Sequence, residues 1–364
     1  MVNVAAAGSG GPTAPLYDAF GVTEGDVVEE VRSGRVNATF VIGAPPRLVV
    51  QRLNPHYFAD PLAVMENLVR VIGHLEWKQA VAGQRDAGRW FPALVPTTAG
   101  RSYAIDDEGC VWRGFAYLPG ATIGVHADDA TISSAARVYG RLLAALDDFG
   151  GPELEATVPR FRDLDRIIED FDEAFSHADQ ATQHGVADEL DRARRLSDQV
   201  RGLTEPVIAP TLRRRLLHND TKLSNVLVEP VSEHASAVID FDLVGEGWAM
   251  DDFGDFVRSA SHHRRDNGSD TDFFSMLATE YVAGAQGVLS PDEIASFAVG
   301  PSRVCVQLAW RYLTDHVASA PTLRVEHPDG ARGKATLNLD LAERLLGNAA
   351  ALNSVVSRLA AQER

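Results

Sequence analysis

A His, an Asp, a Lys and two Asn are packed between apolar residues in LLHNDTKLSNVLVEP, residues 216–230. Asp220 is followed five residues later by Asn225, and Asp240 ends a second apolar run, AVIDFD. Buried polar groups are costly unless paired, so such a cluster beside core strands indicates a site. Two short strands joined by a turn would bring Asn225 and Asp240 together beside Asp220. This set suits phosphoryl transfer, because a carboxylate can accept the proton of an attacking hydroxyl while oxygen ligands hold Mg²⁺.

The elements that must position this cluster fall into two groups along the chain. Residues 36–54 predict two strands joined at GAPPR, and the following helix has Asp60 as N-cap and Pro61 at its first position. Further strand patterns continue to about residue 118. From about residue 128 the pattern is helical, apart from short strands between 206 and 260, and it ends in helices near 271–286, 291–316 and 336–362.

These patterns predict an α+β protein with two lobes of unequal size. We expect a flexible leader at 1–15 and a small β-rich N-lobe with one long helix at 16–118. A larger, mainly helical C-lobe at 119–364 carries the cluster. A chain of 364 residues exceeds the usual size of one hydrophobic core, which also favours two lobes.

Composition narrows the classes of partner. A net charge of -17 argues against nucleic-acid binding, which needs Lys and Arg to neutralise phosphates. Cys110 and Cys305 lie far apart without a CxxC motif, so neither a disulfide framework nor a zinc site is indicated. The chain lacks both a run of about 18 apolar residues and a signal-peptide pattern, so we expect a cytoplasmic monomer or homodimer with no membrane partner.

The sequence resembles the aminoglycoside phosphotransferase/choline kinase superfamily of kinase-like folds over most of residues 30–345. HNDTKLSN matches the HxDxxxxN loop of that superfamily, and IDFD stands in the place of the DFG segment. The sequence looks most like the N-acetylhexosamine 1-kinases, through HNDTKLSNVL, DDFGDFVR, LVVQRLNPHYFADPLAVMENL and WRYLTDH. This resemblance implies a bilobal protein-kinase-like fold. It also implies transfer of the ATP γ-phosphate to a hydroxyl, first of all the anomeric C1 hydroxyl of a hexosamine or a related sugar or cyclitol.

The resemblance assigns a role to each residue of the cluster. It makes Asp220 the catalytic base and gives Asn225 and Asp240 to Mg²⁺. Lys222 corresponds to the lysine with which protein kinases contact the transferred phosphate. His218 is expected to hold the loop through hydrogen bonds.

Four further carboxylates have less definite roles. Asp242 is either a second metal ligand or a hydrogen-bond acceptor for nearby backbone N–H groups. Asp252 or Asp255, from the DDFGD turn, is expected to support the loop. Glu66 is either an ion-pair partner of Arg52 or a surface residue.

The resemblance places nucleotide-binding residues in the N-lobe. Gly34, in SGRVNATF, permits close backbone approach to phosphate. Gln51 or Arg52 takes the position of the protein-kinase lysine on the third strand, and alternation leaves open which of the two faces ATP. Phe115 and Tyr117, in the hinge GFAYLPG, are expected near the adenine.

The acceptor-binding residues predicted by the resemblance are Arg311 in WRYLTDH, with Asp315 assisting it, and Asn37. Gln307 stands where the hexosamine kinases lead us to expect Glu, and SAPTLRVEHPDG departs from the aromatic-containing segment expected after this helix. A different hexose or a cyclitol would suit the same chemistry.

Alternative functions make different demands on these residues. An aminoglycoside or choline-type kinase needs an acidic pocket, which the acidic helices at 163–200 can supply. A non-catalytic pseudokinase is disfavoured because the base and the metal ligands are all present. A metal-dependent phosphohydrolase needs more ligands, and the adjacent His262 and His263 point to different sides of a helix. A polar turn without function is disfavoured by Asp240 and DFGD.

Overall fold

The computed structural model describes residues 14–23, 25–31, 36–83, 88–124, 127–158, 160–208, 212–232, 234–264, 268–318 and 328–363. The chain divides into two compact units, with the boundary between Pro119 and Gly120. Gly34, most of the predicted leader and most of SAPTLRVEHPDG lie outside the described residues.

The first unit contains a six-stranded antiparallel sheet in the order β1-β2-β3-β6-β4, with β5 also paired to β6. Its elements are α1 (Ala14–Ala19), β1 (Val28–Val31), β2 (Ala38–Ile42), β3 (Leu48–Arg52), α2 (Pro61–Val81), β4 (Leu94–Val95), β5 (Ala104–Ile105) and β6 (Val111–Ala116). The hairpin and long helix predicted from the sequence are confirmed. Asp60 caps α2 by accepting hydrogen bonds from the backbone N–H groups of Leu62 and Ala63.

One face of this sheet forms the core of the first unit. Phe40 of β2, Val50 of β3 and Trp112 of β6 are buried there with Leu16 and Phe20, which belong to α1 and the turn after it. Because side chains alternate along a strand, the neighbouring residues of these strands lie on the opposite face.

The second unit is mainly helical, as predicted. Its helices are α3 (Asp129–Leu146), α4 (Leu164–His177), α5 (Gln180–Gly185), α6 (Ala187–Ile208), α7 (Ala249–His263), α8 (Asp270–Gly284), α9 (Pro291–Ser296), α10 (Gly300–Val317), α11 (Pro328–Gly347) and α12 (Ala349–Gln362). Its strands are β7 (Ala121–Thr122), β8 (Arg215–Leu217), β9 (Val226–Val228), β10 (Ala235–Val238) and β11 (Gly245–Gly247). They form two small antiparallel sheets, ordered β10-β9-β7 and β11-β8.

Helices α3 and α8 cross with their backbones in close contact. A Cβ atom on Gly140 would lie 2.1 Å from the carbonyl oxygen of Tyr281, and one on Gly284 would lie 2.2 Å from that of Arg137. Both positions therefore require glycine, since any side chain would push the helices apart.

Two helical predictions near the C-terminus were wrong in their boundaries. The stretch 291–316 forms two helices, with a break before Gly300, where a Cβ would lie 2.2 Å from the carbonyl oxygen of Met250. Pro301 follows and suits a first turn, because it lacks an N–H group. The stretch 336–362 is also divided, at Asn348. No helix among the described residues is both long enough and apolar enough to cross a membrane.

Candidate active site

Two antiparallel strands bring the two predicted metal ligands together. Val226 of β9 pairs with Val238 of β10, and the N–H of Ile239 donates to the carbonyl of Asn225 at 2.9 Å. Asn225 lies directly before β9, and Asp240 lies shortly after β10. Because the strands are antiparallel, both residues lie at the same end of the hairpin. Asp240 has φ 68°, a left-handed conformation that Asp tolerates better than most residues.

Asp220 lies between an ammonium and an amide. Its Oδ2 accepts hydrogen bonds from Lys222 Nζ at 2.5 Å and from Asn225 Nδ2 at 2.9 Å. Burial favours the neutral acid, but the ammonium of Lys222 and the amide of Asn225 outweigh it and lower the pKa of Asp220. The carboxylate is therefore ionised at neutral pH, as a proton acceptor must be.

Lys222 is held between two carboxylates. Its Nζ also lies 3.8 Å from Oδ2 of Asp240. Burial opposes its charge, but Asp220 and Asp240 raise the pKa of Lys222 above its usual range. Tyr139 fixes the backbone here, because its hydroxyl donates to the carbonyl of Lys222 at 2.8 Å.

His218 makes hydrogen bonds to the backbone of two segments of the site. Its Nε2 lies 3.1 Å from the carbonyl oxygen of Ile239, and its Nδ1 accepts the N–H of Asp220 at 3.3 Å. Burial lowers the pKa of His218, so the ring is neutral with its proton on Nε2. The ring thus links the two segments that carry Asp220 and Asp240.

Asp252, near the start of α7, accepts hydrogen bonds from the loop that carries Asp220. Its two carboxylate oxygens accept the N–H groups of His218 at 2.9 Å and Asn219 at 2.7 Å, and its carbonyl accepts the hydroxyl of Thr221. Asn219 has φ 58°, and these bonds hold that conformation. Burial raises the pKa of Asp252 to about 7.

Asp255 contacts two arginines. Its Oδ1 accepts from Arg258 Nε at 2.8 Å, and its Oδ2 lies 3.4 Å from Arg162 Nη2. Arg162 also donates to the carbonyl of Asn219 at 3.0 Å. The sequence analysis missed Arg162, which is 57 residues from Asn219 and belongs to no recognised motif.

The oxygen atoms in this region suit a magnesium ion as ligands. The amide nitrogen of Asn225 donates to Asp220, so its Oδ1 is the atom left for a cation, and Asp240 adds a partly exposed carboxylate. Oxygen ligands of this kind suit Mg²⁺, which keeps several waters and phosphate oxygens in its shell. The side chain of Asp242 is buried, and its carbonyl accepts the hydroxyl of Thr157 at 3.0 Å.

In the first unit, Gln51 belongs to a polar row across three strands. Its Nε2 donates to Thr39 Oγ1 at 3.1 Å, and its Oε1 accepts from Arg113 Nε and Nη2 at 3.1 and 2.8 Å. Arg52 points the other way and lies 3.7 Å from Glu108. Glu66 is exposed. The row places Gln51 on the sheet face opposite the core with α1.

The predicted hinge and the N-lobe acceptor residue are held by backbone contacts. Tyr117 N–H donates to the carbonyl of Arg47 at 3.1 Å, and Phe115 pairs with Val49 across β3 and β6. The ring of Phe115 lies 5.0 Å from the guanidinium of Arg113. Asn37 is buried and accepts the N–H of Asn54 at 3.1 Å.

A cavity of about 550 Å³ adjoins the loop at residues 218–225 within the second unit. Asn219 of the loop lines it, together with Phe161, Arg162 and Trp248. Its lining contains seven carboxylates and five guanidinium groups, so its formal charge is negative.

Helix α10 holds one wall of this cavity through side chains spaced four residues apart. The carbonyl of Arg162 accepts from Arg303 at 2.9 Å and from Gln307 at 2.8 Å. Arg311 donates to the carbonyl of Phe161 and stacks 4.3 Å from its ring centroid. Gln307 can make this bond whereas the expected Glu could not, since an ionised carboxylate has no proton to donate.

The other predicted C-lobe residues are also placed by these helices. Asp315 is buried one turn after Arg311 on α10. His263 Nδ1 lies 2.7 Å from the carbonyl oxygen of Ser259, while His262 is exposed. The two histidines thus point to different sides of α7, as predicted.

The chain belongs to the phosphotransferase enzyme family (APH), whose model matches residues 27–287. The solved structures that are similar to it have the same kinase-like α+β fold.

Three of those structures illustrate the likeness. A microcompartment-associated aminopropanol kinase is 20% identical with a TM-score of 0.58, covering 91% of this chain and 95% of its own. An aminoglycoside phosphotransferase from Alicyclobacillus acidocaldarius is 15% identical with a TM-score of 0.59, covering 95% and 98%. The amicoumacin kinase hAmiN, in complex with AMP-PNP, Ca²⁺ and Ami, is 12% identical with a TM-score of 0.56, covering 87% and 88%.

Proposed function

We propose that this protein is an ATP-dependent kinase that phosphorylates a hydroxyl of a small polyhydroxylated acceptor, first of all the anomeric C1 hydroxyl of a hexosamine or a related sugar or cyclitol. The observation that carries the proposal is the ionised Asp220, held by Lys222 and Asn225 beside Asp240. A base, a cation and two oxygen ligands are the parts that phosphoryl transfer needs.

In this mechanism Asp220 accepts a hydrogen bond from the acceptor hydroxyl. As the acceptor oxygen bonds to the γ-phosphorus, Asp220 takes the hydroxyl proton. The bond between the γ-phosphorus and the bridging oxygen breaks, and its electron pair leaves on ADP. Lys222 contacts the transferred phosphoryl group. Asn225 and Asp240 would hold Mg²⁺, which would supply charge neutralisation at the phosphates.

An anomeric hydroxyl suits a carboxylate base. The ring oxygen withdraws electron density from C1, so this hydroxyl is more acidic than the others of a sugar. The acceptor C–O bond is not broken, so the sugar 1-phosphate should retain its anomeric configuration.

We further propose that the acceptor binds in the cavity lined by Asn219 and Trp248. Asn219 precedes the base, and the cavity mixes aromatic, hydroxyl and charged groups that suit a polyol. Its excess of carboxylates disfavours an anionic acceptor. The same excess favours a second candidate, an aminoglycoside or choline-type kinase, because an acceptor carrying an ammonium would gain from the negative charge.

The test is ADP release from Mg-ATP over a panel of N-acetylhexosamines, glucosamine, galactose, glucose, cyclitols, choline and aminoglycosides. We expect turnover on a free sugar, with phosphate located on C1 by NMR. Asp220→Asn should lower turnover by about 10²–10⁴-fold, the usual contribution of general base catalysis. Turnover only on choline or an aminoglycoside would replace the sugar assignment by the second candidate. Failure of all acceptors, with Mg-ATP still bound, would contradict both.

A further inference from the structure

We propose that Arg162 is a positioning residue for Asp220, joining the wall of the acceptor cavity to the loop that carries the base. This inference rests on the proposed function, because it concerns the orientation of Asp220 as the proton acceptor. It assigns to Arg162 no contact with the reacting atoms.

The peptide group between Asn219 and Asp220 is hydrogen-bonded at both ends. Arg162 donates to its carbonyl at 3.0 Å, and its N–H donates to His218 Nδ1 at 3.3 Å. The direction of the Asp220 side chain depends on the rotation of this peptide plane, because that rotation changes φ of Asp220 and with it the direction of the Cα–Cβ bond relative to the plane. Arg162 and His218 therefore fix that direction from opposite sides.

The backbone N–H and the side-chain NH₂ of Asn219 donate to other groups. Its N–H donates to Asp252, and its side-chain nitrogen donates to the carbonyls of Leu243 and Gly245 at 3.0 and 3.2 Å. These bonds hold the residue in its left-handed conformation but leave the carbonyl to Arg162. The guanidinium is suited to this position because its planar fork has several donors in fixed geometry.

Arg162 is itself held firmly enough to act as a support. Its side chain is only 10% exposed and stacks on Phe161, 4.8 Å from the ring centroid. Its carbonyl accepts the hydrogen bonds from Arg303 and Gln307 of α10 described above. The segment that carries the guanidinium is thus fixed to a buried helix and not only to its own loop.

Arg162 also lines the acceptor cavity, as do Phe161 and Asn219. An acceptor seated there touches the same residues that orient the base. Loss of Arg162 should therefore lower the rate of the chemical step and leave the affinity for ATP nearly unchanged, because Arg162 lies outside the residues assigned to the nucleotide.

Loss of Arg162 does not leave Asp255 as an unpaired buried charge. Asp255 keeps its ion pair with Arg258 at 2.8 Å. An Arg162→Gln variant should therefore fold, and its carboxamide is too short to reproduce both contacts of the guanidinium. Arg162→Lys retains one donor and the charge.

The first experiment compares steady-state kinetics of Arg162→Gln and Arg162→Lys on the acceptor that the wild type uses. Arg166→Gln is the matched control. Arg166 lies four residues later in the chain and pairs with Asp170 at 2.8 Å on the surface. We expect Arg162→Gln to lower kcat by about 10- to 10²-fold, the cost of a misplaced reacting group, with the KM for ATP changed less than about twofold. Arg162→Lys should recover part of the loss. An unchanged kcat in Arg162→Gln, or an equal loss in Arg166→Gln, would overturn the proposal.

The second experiment does not depend on turnover. Hydrogen exchange of a peptide spanning residues 216–225 should be faster in Arg162→Gln than in the wild type and unaltered in Arg166→Gln. Faster exchange across the whole second unit would contradict a positioning role, since it would mean general destabilisation. If the wild type phosphorylates no acceptor, the proposed function fails, and the local exchange result still decides whether Arg162 holds the loop.

Discussion

The ammonium of Lys222 lies 2.5 Å from Oδ2 of Asp220 and 3.8 Å from Oδ2 of Asp240, so one cation faces both carboxylates. Its charge stabilises their ionised forms together. This ammonium therefore balances much of the negative charge that Asp220 and Asp240 concentrate in one place.

Removing the charge of Lys222 should move the acid limb of the pH–rate profile. Lys222 lowers the pKa of Asp220, so in Lys222→Met that pKa rises and the acid limb of kcat/KM shifts to higher pH. Turnover at neutral pH should fall by about 10²–10³-fold, the range for loss of one preorganised donor. Kinetics between pH 3 and 9 measure both effects, since the ordinary pKa of 3.8 is lowered in the wild type. Lys222→Arg is the control, and an acid limb that stays in place in Lys222→Met would contradict the assignment.

Asp252 should make stability depend on pH in a defined direction. Its pKa is about 7 in the folded protein, above its ordinary value of 3.8, so the folded state holds a proton that the unfolded state releases between about pH 4 and 7. The contribution of Asp252 to stability therefore falls as pH rises through that window.

Urea unfolding of the wild type and Asp252→Asn at pH 5 and pH 8 measures this effect. The variant does not titrate at residue 252, so the wild type's advantage in unfolding free energy should be larger at pH 5. We expect the difference in unfolding free energy between the wild type and Asp252→Asn to be larger at pH 5 than at pH 8 by more than about 1.4 kcal/mol, the value of one pKa unit. Asp198→Asn, at a carboxylate that is 80% exposed, is the control. Equal differences at both pH values would contradict the raised pKa.

Two glycine-to-alanine substitutions in helices should have opposite effects on stability. Gly140→Ala places a Cβ against the Tyr281 carbonyl, so we expect a loss of about 1–3 kcal/mol from overpacking. Gly73→Ala in α2 meets no atom within 4 Å and should add about 0.5–1 kcal/mol, because alanine loses less backbone entropy. Denaturant unfolding compares their unfolding free energies. A gain in unfolding free energy in both variants would show that the close crossing of α3 and α8 is wrong.

Arg215 and Glu293 form a buried ion pair whose loss should be costly. Both side chains are 3% exposed, and Arg215 also pairs with Asp147. Glu293→Gln leaves Asp147 as the remaining carboxylate partner of Arg215 and should cost about 1.5–3 kcal/mol, the range for hydrogen bonds to charged groups, although glutamine can still serve in the capping box of α9. Asp170→Asn breaks the exposed pair with Arg166 and should cost about 0–1 kcal/mol. Similar unfolding free energies for the two variants would contradict this difference.

Local patterns predicted the elements that have strong local signals. The helix after Asp60 and Pro61 begins where its cap and proline indicate, and the hairpin before it forms as expected. The division of 291–316 could not be predicted, because it depends on the contact of Gly300 with Met250, which lies 50 residues earlier in the chain. Very short strands such as β11 are likewise defined by their partners more than by their own residues.

The candidate site was also predictable only where its residues have local sequence signals. Asp220, Asn225 and Asp240 lie close together in the chain, and the hairpin of β9 and β10 brings them together. Arg162 carries no local signal, because its bond to Asn219 joins distant segments. The four-residue spacing of Arg303, Gln307 and Arg311 was a usable signal, since it places all three on one face of a helix.

That face of α10 bears on how the enzyme can acquire new substrates. Side chains from α10 hold the backbone of Phe161 and Arg162, and the residues at 153–158 also line the cavity. Under the proposed function, mutations at 153–156 and 158 can therefore reshape the acceptor cavity while the bonds from α10 to Phe161 and Arg162 stay in place; Thr157 is left unchanged because it binds the carbonyl of Asp242. A combinatorial library confined to those positions is accordingly the natural starting point for redirecting the enzyme to other alcohols.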